Sequence, residues 1–261
     1  MKRILLMLGC VWLTAVAASA QTVTFEVRDG IYSEAVKAAI ERNASALLTE
    51  INRAQAAGRA LDFQGIGISP SAQSSLSMLW ANVPFRCEDE EIVESVSNTP
   101  DGGLQVRNIA LELKPADAAV TDDSYQEAVI DFDARGQIQS FYFGLSINLY
   151  RQVMLHGKEV GDLRRRQMIL DYVEHFRTAY NQKDIDFLWQ VFSDDAIIIT
   201  GKVIRTKPND FNPMPQDKII YNTQNKTQYL TRLKSVFDRS RYIRVNFSEI
   251  QVTRHPTKPD F

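Results

Sequence analysis

Between Ser33 and Ala57 apolar residues recur at helical spacing, at Val36, Ile40, Leu47 and Ile51, and the pattern stops at Gly58. A stripe of this period that ends on glycine predicts an amphipathic helix with its terminator. Ser69-Pro70 supplies an N-cap and a first helical residue for a second, short helix through Leu76, Leu79 and Trp80. The period then changes to two. Leu104-Gln-Val-Arg alternates, after which the phase slips at Arg107-Asn108 so that Ile109, Leu111 and Leu113 share a face. Ala128 to Asp133, the turn Ala134-Arg-Gly136 and the run Ile138 to Ile147 read as a hairpin, with a second slip near Gln139-Ser140. A one-residue slip within an alternating strand predicts a β-bulge, and bulges let a sheet curl around a helix.

The pattern starts again at Asp162, a candidate N-cap. Ile169, Tyr172, Val173, Phe176, Ala179 and Tyr180 form one apolar stripe, so the segment from Asp162 to the turn at Asn181 reads as a long helix with that stripe inward. Asp184 can cap a short helix carrying Phe187, Leu188 and Phe192, and Ala196 to Ile204 reads as a buried strand. A Pro- and Asn-rich loop is expected from Thr206 to Asn222. A third helix follows over 225–238, with Tyr229, Leu230, Leu233, Val236 and Phe237 inward. Tyr242 to Phe247 alternates as a strand, and its phase slips before Ile250 and Val252. The chain therefore divides into residues 21–154, a linker over 155–161 around His156-Gly-Lys158, and residues 162–261.

The turn Asn181-Gln-Lys-Asp184 between the two helices, followed by Ser193-Asp-Asp-Ala196 before the strand, resembles the opening of a nuclear-transport-factor-2-like domain, the superfamily that includes the ketosteroid-isomerase-like proteins. The resemblance covers residues 162–261. It implies a curved-sheet cone with a pocket, lacking here the further long strands with which such a domain closes. Residues 21–154, with the same order of helices then strands, resemble a cystatin-like or divergent α+β domain. The fold class expected is thus α+β, with two cone-like domains in which N-terminal helices pack on a curved antiparallel sheet, the second domain incomplete. Behind the N-terminal segment described next, the pairing resembles exported proteins of Gram-negative envelopes.

Lys2 and Arg3, the apolar run Ile4 to Val16 and the small residues Ala18-Ser-Ala20 have the arrangement of a secretory signal peptide cleaved after Ala20. The rival is a lipoprotein signal at Leu8-Gly-Cys10, with a shorter apolar run before the cysteine. Either places the chain in the periplasm or outside the cell, with no integral membrane span. Removing Lys2 and Arg3 from the 30 basic side chains leaves 28 against 32 acidic ones, a net charge of −4. That mild acidity offers no footprint for nucleic acid. Cys87 is then the sole cysteine, expected as a buried small hydrophobe.

In the enolising isomerases of the resembled superfamily, an acid on the first strand acts as base and a tyrosine on the first helix serves the oxyanion. Here the matching positions hold Thr200 and Phe176, and neither can fill its role. The resemblance therefore implies a pocket without its catalysts. The pocket candidates are Tyr172, Phe176, Tyr180, Trp189, Phe192 and Thr200, with no catalytic residue among them. The expected function is non-enzymatic binding of a small apolar ligand or an envelope protein, without cofactor or metal, and with a homodimer as a further possibility. The alternative is an isomerase or hydrolase with His175 and Tyr172 as its acid–base pair. Asp194 and Asp195 are adjacent at a strand entry and point to opposite sides, so they read as turn residues. Arg164-Arg-Arg166 reads as a solvated helix face, with a docking surface for an acidic segment such as Glu88-Asp-Glu-Glu91 as the rival.

Overall fold

The computed structural model describes residues 21–113, 124–156, 162–205, 217–247, 250 and 252; the expected signal peptide and most of the expected linker lie outside them. Strand β1 (Thr24–Val27) leads into helix α1 (Glu34–Ala57) and then α2 (Pro70–Asn82). Six strands follow: β2 (Phe85–Cys87), β3 (Glu91–Glu94), β4 (Val96–Asn98), β5 (Leu104–Leu113), β6 (Tyr125–Phe132) and β7 (Ile138–Gly144). Helices α3 (Ile147–His156), α4 (Leu163–Gln182) and α5 (Ile185–Val191) precede β8 (Ile197–Arg205), β9 (Asp217–Asn225) and α6 (Lys226–Arg239).

Strands β2, β5, β6 and β7 form an antiparallel sheet in that order, with β4 also paired to β5. Both expected bulges are present. The β5–β6 register shifts between Val106 and Ile109, where Asn108 takes φ 65°, and Gln139 is the extra residue opposite Asp131-Phe132. They curl the sheet around α1, which buries Ile40, Ala44, Leu47, Leu48 and Ile51 against it. Gly136, at φ 79°, presses the β6–β7 turn onto α1: a Cβ there would lie 2.8 Å from that of Ala39. Cys87 is fully buried in this core, as expected, and burial pushes its thiol up to about 11.

The predicted caps form. Ser69, Asp162 and Asp184 accept from backbone amides of the first turns of α2, α4 and α5, and Gly58 and Lys183 close α1 and α4 in the left-handed region.

Three expectations are corrected. Helix α4 buries polar groups beside part of its stripe: Val173, Phe176, Ala179 and Tyr180 pack inward as expected, but Ile169 and Tyr172 are exposed while Arg166, Glu174, Arg177, Thr178 and Asn181 are buried. The buried groups serve extended backbone. Leu145 N–H donates to Glu174 Oε1 (2.8 Å) and Phe143 N–H to Thr178 Oγ1 (3.2 Å), so α4 satisfies the outer edge of β7. Arg166, expected on a solvated face, donates to the carbonyls of Val153 and Met154 at the end of α3. Tyr242–Phe247 forms no strand; it runs along α4, with Val245 N–H on Asn181 Oδ1 (2.8 Å) and Arg177 Nε on Val245 O (3.0 Å). The third correction concerns β8, which is exposed. Among the described residues it pairs only with β9, a strand that occupies the end of the expected loop. Among the described residues the second half therefore holds a two-stranded ribbon beside its helices. Helix α3 also stands where the hairpin was expected to run into the linker.

Candidate functional site

A groove of about 840 Å³ lies between the curled sheet and the first half of α4. Its floor comes from the sheet. Alternation turns Gln105 of β5, Asp131 of β6 and Tyr142 of β7 toward α4, away from the face that packs on α1. Gln105 Nε2 donates to Asp131 Oδ1 (2.9 Å) and to the Tyr142 hydroxyl (3.3 Å), and Ser140 Oγ donates to Asp131 Oδ2 (2.5 Å). Tyr142 is 2% exposed, and burial raises its phenol well above the ordinary range, so its proton is retained as a donor.

Helix α4 supplies the opposite wall through Arg164, Met168, Asp171, Tyr172 and His175. The spacing 164, 168, 171, 172, 175 is one helix face, which explains why these five meet. The His175 ring lies over that of Tyr142, centroids 4.0 Å apart. Its Nδ1 is 2.7 Å from the carbonyl of Asp171. A carbonyl only accepts, so Nδ1 carries the proton and Nε2 of the neutral ring is left as an acceptor.

Asp171 is the unbalanced member. Its Oδ1 is buried without a hydrogen-bond partner. Burial first, and then the charge of Glu174 one turn away, push its carboxyl up to about 7. The nearest strong cation is committed elsewhere: Arg107 holds Glu174 through two hydrogen bonds (2.5 and 3.1 Å) and lies 3.8 Å over the ring of Tyr150. Arg164 donates to the carbonyl of Pro100 at the groove rim. The groove thus presents carboxylate and imidazole acceptors between aromatic walls. Among the described residues no cluster of side chains is arranged to hold a metal ion.

The six pocket candidates separate. Tyr172 lines this groove. Phe176, Tyr180 and Phe192 pack ring on ring at centroid distances of 5.1 and 5.8 Å around Phe176, with Trp189, Leu188, Leu230 and Phe237 in the same cluster. Tyr180 and Tyr229 share a 2.8 Å hydrogen bond between their hydroxyls. Phe247 and Tyr229 add further rings, so the space expected for a ligand is taken up by the protein's own side chains. Thr200 lies apart on β8, its hydroxyl 3.5 Å from the carbonyl of Asn222. His175 and Tyr172, the candidate acid–base pair, do line one groove. Asp171, Asp131 and Tyr142 were missed. The 171–175 spacing on α4 was visible in the sequence, but nothing local showed that the β7 tyrosine would reach it. Asp194 bonds Lys226 (2.7 Å) and Asp195 accepts from Ser193, consistent with turn roles.

No family model, curated protein or solved structure matches this chain.

Proposed function

We propose that this chain is an exported, non-catalytic binding protein of the cell envelope whose groove takes a small molecule bearing an amino group on an apolar or aromatic body. The observation that carries the reading is the unpartnered Asp171 Oδ1 in a groove walled by Tyr142, Tyr172 and His175. A buried carboxylate without a donor is costly, and an ammonium supplies both the charge and the N–H groups it lacks. The aromatic faces suit the ligand's apolar body and favour a cation above them. The N-terminal segment supports export. The order α4, tight turn, α5, β8, β9, α6 supports a nuclear-transport-factor-2-like second domain, with the sheet-bearing first half as its companion. The ligand of this reading occupies the junction of the two rather than the centre of the second.

Calorimetric titration with benzylamine, benzyl alcohol and benzoate tests it. The amine should bind about tenfold to a hundredfold tighter than the alcohol, the margin of one charge-assisted hydrogen bond, and benzoate should not bind. Asp171→Asn should abolish the preference. Equal binding of all three, or of none, would sink the proposal. Native mass spectrometry of protein from its own host would identify the molecule retained.

A second reading rests on the raised carboxyl of Asp171 in the groove that His175 also lines, a group that can give or take a proton near neutrality, as an isomerase or hydrolase requires. It predicts that the proton resonances of His175 move at two pH values, its own and that of Asp171. A single ordinary titration, unchanged in Asp171→Asn, counts against it.

A further inference from the structure

The ribbon β8–β9 presents an apolar face that nothing described covers. Alternation along the register Ile197↔Asn225 to Val203↔Ile219 places Ile197, Ile199, Gly201 and Val203 on one side with Ile219, Tyr221 and Thr223. The exposures on that side are high: Ile197 75%, Ile199 64%, Val203 58%, Ile219 49% and Tyr221 68%. The other side carries Lys202 and Lys218 among Ile198, Ile204 and Ile220; Ile198 is half-buried, and Ile204 and Ile220, at 37% and 46%, are less exposed than the side chains of the first side. Tyr221 and Ile219 lean across Gly201, where an added Cβ would meet them at 3.5 and 3.1 Å, so the outward face is continuous rather than a row of separate side chains.

We infer that this outward face is a homodimer interface, covered by the same face of a second copy of the chain. The five side chains leave roughly 600 Å² of apolar surface open, at the upper limit for the largest patch of an ordinary monomer and close to the ~800 Å² per partner of a standard-size interface. A two-stranded ribbon this exposed is marginal in water and needs a second layer. From Ile197 to Val203 and their β9 partners the face carries no charged residue. Within that stretch a two-fold copy brings no like charges together, the next register pair in the same alternation being the oppositely charged Arg205↔Asp217, whereas an anionic lipid surface finds Lys202 and Lys218 on the other side. Packed face to face, the two ribbons make a small sandwich whose contacts are Ile, Val and Tyr side chains on both halves. This inference is independent of the groove.

Sedimentation equilibrium of the purified chain across a range of concentrations tests it. The wild type should show a monomer–dimer equilibrium. Ile199→Lys and Val203→Lys should each weaken self-association about a hundredfold or more. Lys202→Glu, on the opposite side, should leave it unchanged. Circular dichroism should show all three variants folded, because each changes an already exposed position of the monomer. A wild type that stays monomeric at every concentration overturns the inference, and so does a dimer that survives both lysine substitutions. If that monomer also binds vesicles of neutral and anionic phospholipid through residues 197–203, the face belongs to a membrane surface instead.

Discussion

Helices α1 and α4 each lie against the free edge of an extended strand, and both meet it with the same ruler. On α1, Glu41, Ser45 and Thr49 accept from the amides of Val27, Phe25 and Val23 at 2.9, 2.9 and 3.0 Å. On α4, Glu174 and Thr178 accept from Leu145 and Phe143. Four residues of helix rise about 6 Å and two of strand about 6.6 Å, so side chains four apart on one match amides two apart on the other. The two helices differ in what surrounds the rungs. Helix α1 sets them beside a wide apolar stripe, and its glutamate rung stands at the rim. Helix α4 buries its glutamate completely, pairs it with Arg107, and uses Arg177 and Asn181 to hold a second extended segment as well. Helix α1 is held by apolar burial with polar rungs added; α4 adds to its apolar contacts at Leu170, Phe176, Ala179 and Tyr180 a set of buried ionic and polar groups. The same residue spacing therefore carries different energetic risk, because a buried ion that loses its partner costs far more than a lost neutral hydrogen bond.

The largest test of that difference is Glu174→Ala. It leaves the Arg107 guanidinium buried without its carboxylate and the Leu145 amide without its acceptor, so unfolding free energy should drop by about 3–5 kcal/mol in chemical denaturation. Glu41→Ala, the corresponding rung of α1, should cost about 1 kcal/mol. Equal losses would remove the distinction between the helices.

The pH dependence should split in the same way. Glu50 of α1 loses solvation on burial. Its bidentate hydrogen bonds to Arg59 and the Asp62 amide outweigh that and lower its pKa, so its contribution is present at neutral pH and lost as pH falls below the ordinary glutamate range. Asp171 of α4 runs the other way. Between the ordinary carboxylate range and about 7, the folded protein keeps a proton that the unfolded chain has released. Stability therefore falls as pH rises through that window and is flat above it. Asp171→Asn should stabilise the protein by about 2 kcal/mol at pH 8, allowing for partial solvent screening, and have no effect near pH 4. Thermal melts of both proteins at the two pH values check this.

The neutral rungs should be interchangeable. Thr49→Val and Thr178→Val each leave one strand amide without an acceptor at constant shape, and each should cost about 1–2 kcal/mol by urea unfolding. The smallest effect belongs to the ribbon, which no helix rung serves. Ile199→Ala should change the stability of the monomer by less than about 0.5 kcal/mol, whereas Ile130→Ala in the curled sheet should cost about 2–5 kcal/mol.

Much of the first half was legible because its signals are local. Ser69 and Asp184 sit where caps must sit, Gly58 ends a stripe, and the phase slips at Asn108 and Gln139 mark the two bulges that curl the sheet. The errors share one physical origin. The apolar stripe of α4 and the apolar run of β8 suggest burial, and the alternation of Tyr242–Phe247 suggests a strand, yet such patterns report only local composition and sidedness. Ile169 and Tyr172 lost the inward position to Glu174, Thr178 and Arg177 because the neighbouring strand edge needed acceptors and donors more than it needed methyl groups. The groove was half visible. Asp171, Tyr172 and His175 share a helix face in the sequence, but Tyr142, Asp131 and Gln105 join them only through the pairing of β5, β6 and β7.

The sequence by itself determined helices α1 and α2, the caps, the two bulges of the curled sheet and the α+β class, since each follows from backbone preferences a few residues wide. Only the tertiary structure decided which side of α4 is buried, that Tyr242–Phe247 is held by a helix instead of a sheet, and that β8 lies on the surface. Those outcomes depend on which unsatisfied amides and carbonyls meet across 29 to 68 residues of chain, as in Leu145–Glu174 and Arg177–Val245. The requirement that every buried backbone group find a partner is a property of the assembled fold, and no window of sequence contains it.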